Sequence, residues 1–284
     1  MFDGLKTLLA IIIMTVMNFF FPVLSIIILA VWPIPVVLMA VKHGMKVAGI
    51  TIIVAAIING FLFGPLMGLI TIIGFGFVGF IIGESLNEGL SPARTLVFTI
   101  IGVITSQLLI VAISHYIFGF DMKNLVEQII KQLSEAGDTT FKEIIQAQFH
   151  VIKAVFPAII VISSILTGIL NYYLSLWYLN NRGISKKIFL PVKLWRFPRW
   201  YISFGIILSL IFKTNTFFIN LNIVLLFLAF LQGFAVGLFY IGKTKKPVFF
   251  RWLYIFTILF IPPVPVILML TGLIDMWFNL RKLG

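Results

Sequence analysis

The chain contains no cysteine. Disulfides, thiol catalysis, iron–sulfur clusters and cysteine-based zinc sites are therefore excluded. Charge is nearly as scarce: 11% of the 284 residues are charged, and only nine are acidic. Polar groups this sparse do not cover a water-facing surface. Enzyme signatures are missing too, with no His-Glu-x-x-His, no Walker A string and no paired aspartates in a Gly-x-Gly-Asp setting. His43, His115 and His150 are dispersed and outline no metal site. The expectation is a protein that is not an enzyme and carries no cofactor or resident metal. Without a nucleotide site, active transport needs a partner ATPase or an ion gradient. The shortage of acids within the apolar runs argues against proton or sodium coupling.

What the chain has is apolar length, with 61% hydrophobic residues. The apolar runs are continuous rather than alternating, which excludes an outer-membrane barrel and leaves an all-α integral membrane protein. The first run, Thr7 to Val41, carries no charge and is interrupted by Pro22 and by Trp32-Pro33-Ile34-Pro35. As one helix it is roughly 50 Å long, against a hydrocarbon core of ~30 Å. Two spans fit better. The run continues far beyond a signal-peptide core and no small-x-small cleavage site follows it, so it reads as retained.

Basic residues orient the chain. Arg182, Lys186, Lys187, Lys193, Arg196 and Arg199 cluster without an acid, and Lys243, Lys245, Lys246 and Arg251 do the same. By the positive-inside rule both loops face the cytoplasm. Alternation then gives crossings at 151–180, 95–119, 66–83 and 45–62, two more within 7–41, and a cytoplasmic N-terminus. After the first basic loop, 200–242 holds a full span and, before it, Trp200 to Phe212, which is short for a crossing of its own and is tilted or shared with the preceding segment, with Lys213 snorkelling outward. The last stretch, Val248 to Phe278, holds Pro262-Pro263-Val264-Pro265. It is one broken span or a tight hairpin. The total is eight to nine transmembrane helices. The net charge of +12 thus points to anionic lipid at the cytoplasmic face, not to nucleic acid.

Residues 121–150 form the longest polar segment. Met122, Leu125, Val126, Ile129, Ile130 and Leu133 have helical spacing, Asp121 suits an N-cap, and Glu127–Lys131 is a favourable i,i+4 pair. Thr140-Phe141-Lys142-Glu143 is a capping box leading into the next span. These external amphipathic helices lie on lipid or form a lid over an outward pocket; both readings stand.

Polar groups at membrane depth are few: Asn18, Asn59, Gln107, Asn171, Gln232 and Asp275. Such groups usually face the bundle interior, gluing helices or lining a pocket. Asn59, Gln107, Asn171 and Gln232 are candidates for either role. Asp275 reads as an interfacial ion-pair partner of Arg281 or Lys282. The pairs Gly64/Gly68, Gly79/Gly83 and Gly233/Gly237 are G-x-x-x-G spacings for close helix approach, within the chain or with a partner. Pro33-Ile-Pro-Val-Val-Leu-Met39 nearly repeats as Pro263-Val-Pro-Val-Ile-Leu-Met269. That is an internal repeat or chance in low-complexity sequence.

Several strings together resemble one family. They are Pro33-Ile34-Pro35 closing on Lys42-His43-Gly44, the glycine-rich third and fourth spans, Leu194-Trp195-Arg196-Phe197-Pro198, Gln232-Gly233, and Gly272-Leu-Ile-Asp275-Met-Trp-Phe-Asn-Leu-Arg281. In that order they resemble the YybS-like family, a bacterial multi-pass group of unknown function, over nearly the whole chain. The family is distantly similar to the substrate-binding S components of energy-coupling-factor transporters. The resemblance implies a bacterial cytoplasmic-membrane protein with a six-helix S-component-like core in 1–180 and a transmembrane extension in 181–284. It also implies binding of a small solute, in a pocket between Asn59 and the 121–150 segment, with a membrane or ATPase partner subunit. Many S components dock through Ala-x-x-x-Ala on the first helix; here Ala10 is followed four residues later by Met14. The alternative is a non-transporting scaffold that recruits a partner through Arg182, Lys186, Lys187, Arg196, Arg199, Lys245 and Lys246.

Because the chain has no cysteine, its topology is open to direct labelling. A single cysteine at Gly119 is expected to react with a membrane-impermeant maleimide on intact spheroplasts, and one at Lys187 only after permeabilisation. The reverse pattern inverts the orientation.

Overall fold

The computed structural model describes residues 2–121, 124, 128, 131, 139–184, 186–212, 214–244 and 247–283, with the backbone alone at 2, 139–144, 146 and 147. The expected Glu127–Lys131 pair, the side chains of the Thr140–Glu143 capping box, Lys213, Lys245 and Lys246 lie outside the described residues. So does most of the helix expected from Asp121. The described residues contain helices and no strand. The chain is all-α, with seven helices long and apolar enough to cross a membrane among the described residues.

The opening run makes two spans, Asp3–Phe20 and Pro22–His43. The first is α1 (Phe2–Phe20). The second is broken into α2 (Ser25–Val31) and α3 (Ile34–His43), because Pro33 has no N–H to continue the ladder. Gly44, at φ 85°, turns the chain straight into α4 (Met45–Phe63), and Gly64, at φ 96°, turns it into α5 (Pro65–Ile70). Both glycines take left-handed backbone that a side chain disfavours, and Pro65 suits a first helical turn. A π-helical stretch, Thr71–Phe77, joins α5 to α6 (Val78–Asn87) within one span. Ser91 then caps α7 (Pro92–Tyr116), its hydroxyl accepting from Arg94 N at 3.4 Å.

The long helix α8 (Thr139–Asn181) has 43 residues. At roughly 65 Å it exceeds the hydrocarbon thickness by a factor of two. From Thr139, where the described residues resume, the helix runs unbroken into the following span. Next come α9 (Arg199–Ile211), α10 (Thr216–Lys243), α11 (Phe249–Phe260) and α12 (Pro263–Phe278). Asn215 caps α10 by accepting from Phe217 N at 2.8 Å. The pair α11–α12 is bent by 110° and counts as an eighth span only when taken together. At 13 residues, α9 reaches ~20 Å, short of a full crossing. Whether α9 is counted decides between eight and nine.

Two compact units emerge: Met1–Gln146 with Ser163–Phe189, and Ala147–Ile162 with Leu190–Gly284. In the first, Ile11, Ile28, Trp32, Val36, Ile52 and Phe75 make one core from α1 to the π stretch. There α3 lies against α6 where Gly79 and Gly83 leave room; a Cβ on Gly79 meets Val36, and one on Gly83 lies 2.5 Å from Ala40 Cβ. In the second, Ile202, Ala229 and Met276 anchor the core. The approach of α10 and α12 is closer still. A Cβ on Gly233 collides with the Leu268 carbonyl oxygen, and one on Gly272 with that of Ala229. Lipid tails are as apolar as leucine, so close backbone approach and packing hold such helices together.

Gly272→Ala and Gly233→Ala are expected to cost about 1–3 kcal/mol each by overpacking, read as a lower unfolding temperature in detergent. Gly49→Ala, whose new Cβ meets only Phe80 at 3.6 Å, serves as the control and leaves that temperature unchanged or higher.

Candidate functional site

In the first unit, the polar candidates repair backbone or join helices. Asn59 is fully buried. Its amide donates to Thr15 Oγ1 at 3.0 Å and to Thr71 Oγ1 at 2.9 Å, tying α1, α4 and the π stretch together. It does not line the cavity described below. The lid half of the expected pocket lies largely outside the described residues. Asn171, with its amide nitrogen turned toward α2, donates to Leu29 O and Ala30 O, each at 2.8 Å. Leu29 O is the acceptor that Pro33 cannot serve, so Asn171 mends the break that proline makes. Gln107 Oε1 accepts from Ser163 Oγ at 3.0 Å. Ser106, unnoticed in the sequence, donates to Ile73 O at 2.8 Å inside the π stretch.

One end of this unit carries a cavity of about 480 Å³. Its walls are one face of α1 (Asp3, Lys6, Thr7, Ala10, Met14), the broken second span (Val31, Ile34, Pro35, Leu38, Lys42) and the end of α8 (Trp177, Tyr178, Arg182). Charge sits only at the mouth, with three cations and one acid. Asp3 is held by His43 Nε2 at 3.1 Å and stands 4.0 Å from Lys42 Nζ. Arg182 donates from Nη2 to Tyr178 OH at 3.0 Å, its guanidinium 5.2 Å from that ring's centre. Lys186, part of the same basic run, donates from Nζ to Leu86 O at 3.2 Å, while Lys187 is exposed. In the sequence Lys6 lies just ahead of the first apolar run and Lys42 figures only in the Lys42-His43-Gly44 string. Nothing in their spacing signals a cavity, because it forms from three segments distant in the chain.

The second unit assembles three strings that the sequence kept far apart. Asp275 and Arg281 are both 1% exposed at the side chain and pair at 2.9 Å. The expectation of an interfacial pair is corrected in one respect: the pair is buried. Asn279 makes it possible by ending α12 in left-handed backbone, φ 47°, which swings Arg281 back to Asp275. Asp275 Oδ2 also accepts from Gln232 Nε2 at 2.6 Å. Arg281 donates to Lys193 O and Trp195 O, both at 2.6 Å, and Gln232 Oε1 accepts from Phe197 N at 3.0 Å. The loop 190–198 has no helix of its own beyond one short turn, so these side chains satisfy its buried backbone groups. Arg196 on this loop and Arg199, the first residue of α9, are exposed. Arg199 stacks 5.6 Å over Trp200 and 5.4 Å over Trp277. Asn220, absent from the sequence candidates, performs a further repair. It inserts into α8 beside Pro157, accepting from Ala158 N and donating to Ala154 O, each at 2.8 Å. A proline inside a span was the available signal.

Asp275→Ala strands a buried guanidinium, and about 3–5 kcal/mol of stability is expected to go with it. The loop then loses its anchor. Trypsin is expected to cut after Lys193 or Arg196 faster in the variant than in the parent, while Asp275→Asn shows a smaller loss in both readouts.

No solved structure matches the chain. An uncharacterized protein of Bacillus subtilis (strain 168), YybS, is 21% identical over 290 residues, covering 95% of this chain and 93% of its own. The family described as "Predicted membrane protein (DUF2232)" matches residues 8–276. That span contains the proline breaks, the Gly233–Gly272 contact and Asp275: the chain belongs to the DUF2232 family of multi-pass membrane proteins.

Proposed function

We propose that the chain is a bacterial cytoplasmic-membrane component that binds and helps to move a small ligand, and that the ligand occupies the cavity between α1, the α2–α3 span and α8. The cavity carries the reading. Its volume of about 480 Å³ falls in the ~300–1,000 Å³ range of small-molecule sites, and its apolar walls with a few convergent polar groups match their usual chemistry. Lys6, Lys42 and Arg182 gather at the mouth, which makes that end the cytoplasmic one under the positive-inside rule. The N-terminus then lies inside. The resemblance to S components of energy-coupling-factor transporters supports a binding role upstream of a partner that supplies energy. The ligand site differs from the one expected at Asn59, which is tied to two threonines.

One observation favours a second reading, a scaffold that recruits a partner. The Asp275–Arg281–Gln232 cluster holds loop 190–198 in place, with Arg196 exposed on it and Arg199 exposed at the start of α9. A fixed basic platform suits a docking surface better than a mobile one.

Native mass spectrometry of the full chain purified without added ligand separates the two. The expected result is a bound small molecule or lipid at close to one per chain, lost when Leu38→Trp fills the cavity. Retention of a protein partner alone, unaffected by Leu38→Trp and lost with Arg196→Glu, overturns the binding reading in favour of the scaffold.

A further inference from the structure

The cavity's shape and charge say more about its occupant. The α1 wall is the stripe Asp3, Lys6, Thr7, Ala10, Met14. It runs from the helix start inward along one face for roughly 16 Å at 1.5 Å per residue. Polarity falls steeply along that line. Asp3 and Lys6 give way to Thr7 and then to Ala10 and Met14, facing Leu38, Ile34 and Val31 across the groove. Trp177 and Tyr178 stand on the third wall, between the apolar depth and the cationic mouth.

The walls are half open. Met14, Val31, Ile34 and Leu38 are only partly covered by the protein, and Trp177 keeps 58% of its surface exposed. An apolar cleft at this depth in a bilayer does not stay wet, because it offers water few hydrogen-bond partners. Hydrocarbon fills it. At the mouth the charges do not cancel. Asp3 is engaged by His43 and Lys42, whereas Lys6 and Arg182 lie within the same rim without an acid in ion-pair reach among the described residues. An apolar slot closed at one end by a net positive rim, three cations against one acid, matches an anionic head joined to a chain.

We infer that this cavity is a specific site for a phosphate-headed lipid of the surrounding leaflet, its acyl chain between α1 and α3 and its phosphate on Lys6 and Arg182. The inference rests on the binding reading above and names the ligand class of the same cavity. Arg182 brings a planar fork suited to phosphate oxygens and Lys6 a compact charge. Tyr178, bonded to Arg182 through its hydroxyl, orients the guanidinium at the boundary between head and chain. Trp177 and Tyr178 occupy the level where amphipathic rings sit in membrane proteins. A soluble phosphate uses the same cations and leaves the apolar slot unfilled.

Two properties are measured on the full chain, reconstituted with equal phosphatidylglycerol and phosphatidylcholine and released for native mass spectrometry. One retained phosphatidylglycerol per chain is expected, not displaced by millimolar inorganic phosphate. Lys6→Gln and Arg182→Gln are each expected to lower its retention roughly fivefold. Ala10→Trp, which blocks the slot and leaves the cations in place, is expected to abolish it while the protein still elutes as a single species. Equal retention of the two lipids, or retention unchanged in all three variants, overturns the lipid site. A bound soluble anion that Lys6→Gln removes and Ala10→Trp spares overturns it too, and leaves the solute-binding reading intact. No bound species of any kind, in parent or variants, overturns both.

Discussion

Every peptide N–H and C=O in the hydrocarbon layer needs a partner within the protein, and the structure is organised around the places where the helix cannot supply one. Among the described residues, three such places carry a side-chain repair. Pro33 deprives Leu29 O of its donor, and Asn171 provides two N–H groups there. Pro157 opens α8, and Asn220 takes over both Ala158 N and Ala154 O. In the π stretch Ser106 donates to Ile73 O. In water any of these breaks would be solvated at little cost. In lipid each demands a particular side chain on a particular neighbouring helix, so each break also fixes a helix–helix contact. Loop 190–198, outside the spans, is held in the same way by Arg281 and Gln232.

The second organising feature follows from the first. A helix restarted by Pro-x-Pro is aimed by its own break, and in both units that helix presses on small residues. In the first unit Val36 and Ala40 of α3 meet Gly79 and Gly83. In the second, Leu268 and Gly272 of α12 meet Gly233 and Ala229, backbone against backbone. The contacting residues lie on or just beyond the near-repeated strings Pro33–Met39 and Pro263–Met269. A shared local task accounts for the likeness: a proline pair to begin the helix, then branched and apolar residues to fill the groove beside a glycine.

The division into spans was legible in the sequence because it depends on apolar length and proline, both of which are one-dimensional. The two spans in residues 7–41 and the break at Pro262 are local events written in local residues, whereas Gly64, read as half of a G-x-x-x-G pair, turns the chain instead. The Asp275–Arg281 pair was legible in part, since six residues separate the partners, but its burial was not. Burial depends on Gln232 and on the carbonyls of Lys193 and Trp195, more than 40 and 80 positions away. Asn220 went unseen because an asparagine near a helix start already has an explanation as a local polar group. Asn59 stayed open between helix glue and pocket lining, because chain position does not reveal that Thr15 and Thr71 lie beside it. The cavity was illegible for the same reason: its three walls come from residues 3–14, 31–42 and 177–182.

Basic residues make the sharpest division. In the sequence Arg182, Lys186, Lys187, Arg196 and Arg199 form one undifferentiated run, and Arg281 sits apart as a partner for Asp275. In the structure they have different duties. Arg281 is given over to the fold: its guanidinium makes four hydrogen bonds, to Asp275, Lys193 and Trp195, and its backbone N–H a fifth to Asp275. Lys186 spends its ammonium on Leu86 O, holding the end of α6. Arg199 is stacked over two indoles. Lys187 and Arg196 are exposed, and Arg182 lines the cavity of the first unit. The positive-inside rule counts all of these alike, since orientation is set during insertion, before tertiary contacts form. Ligand binding depends on what remains after folding has used its share. By that measure Lys6 and Arg182 stay available where they border the apolar cleft of the first unit.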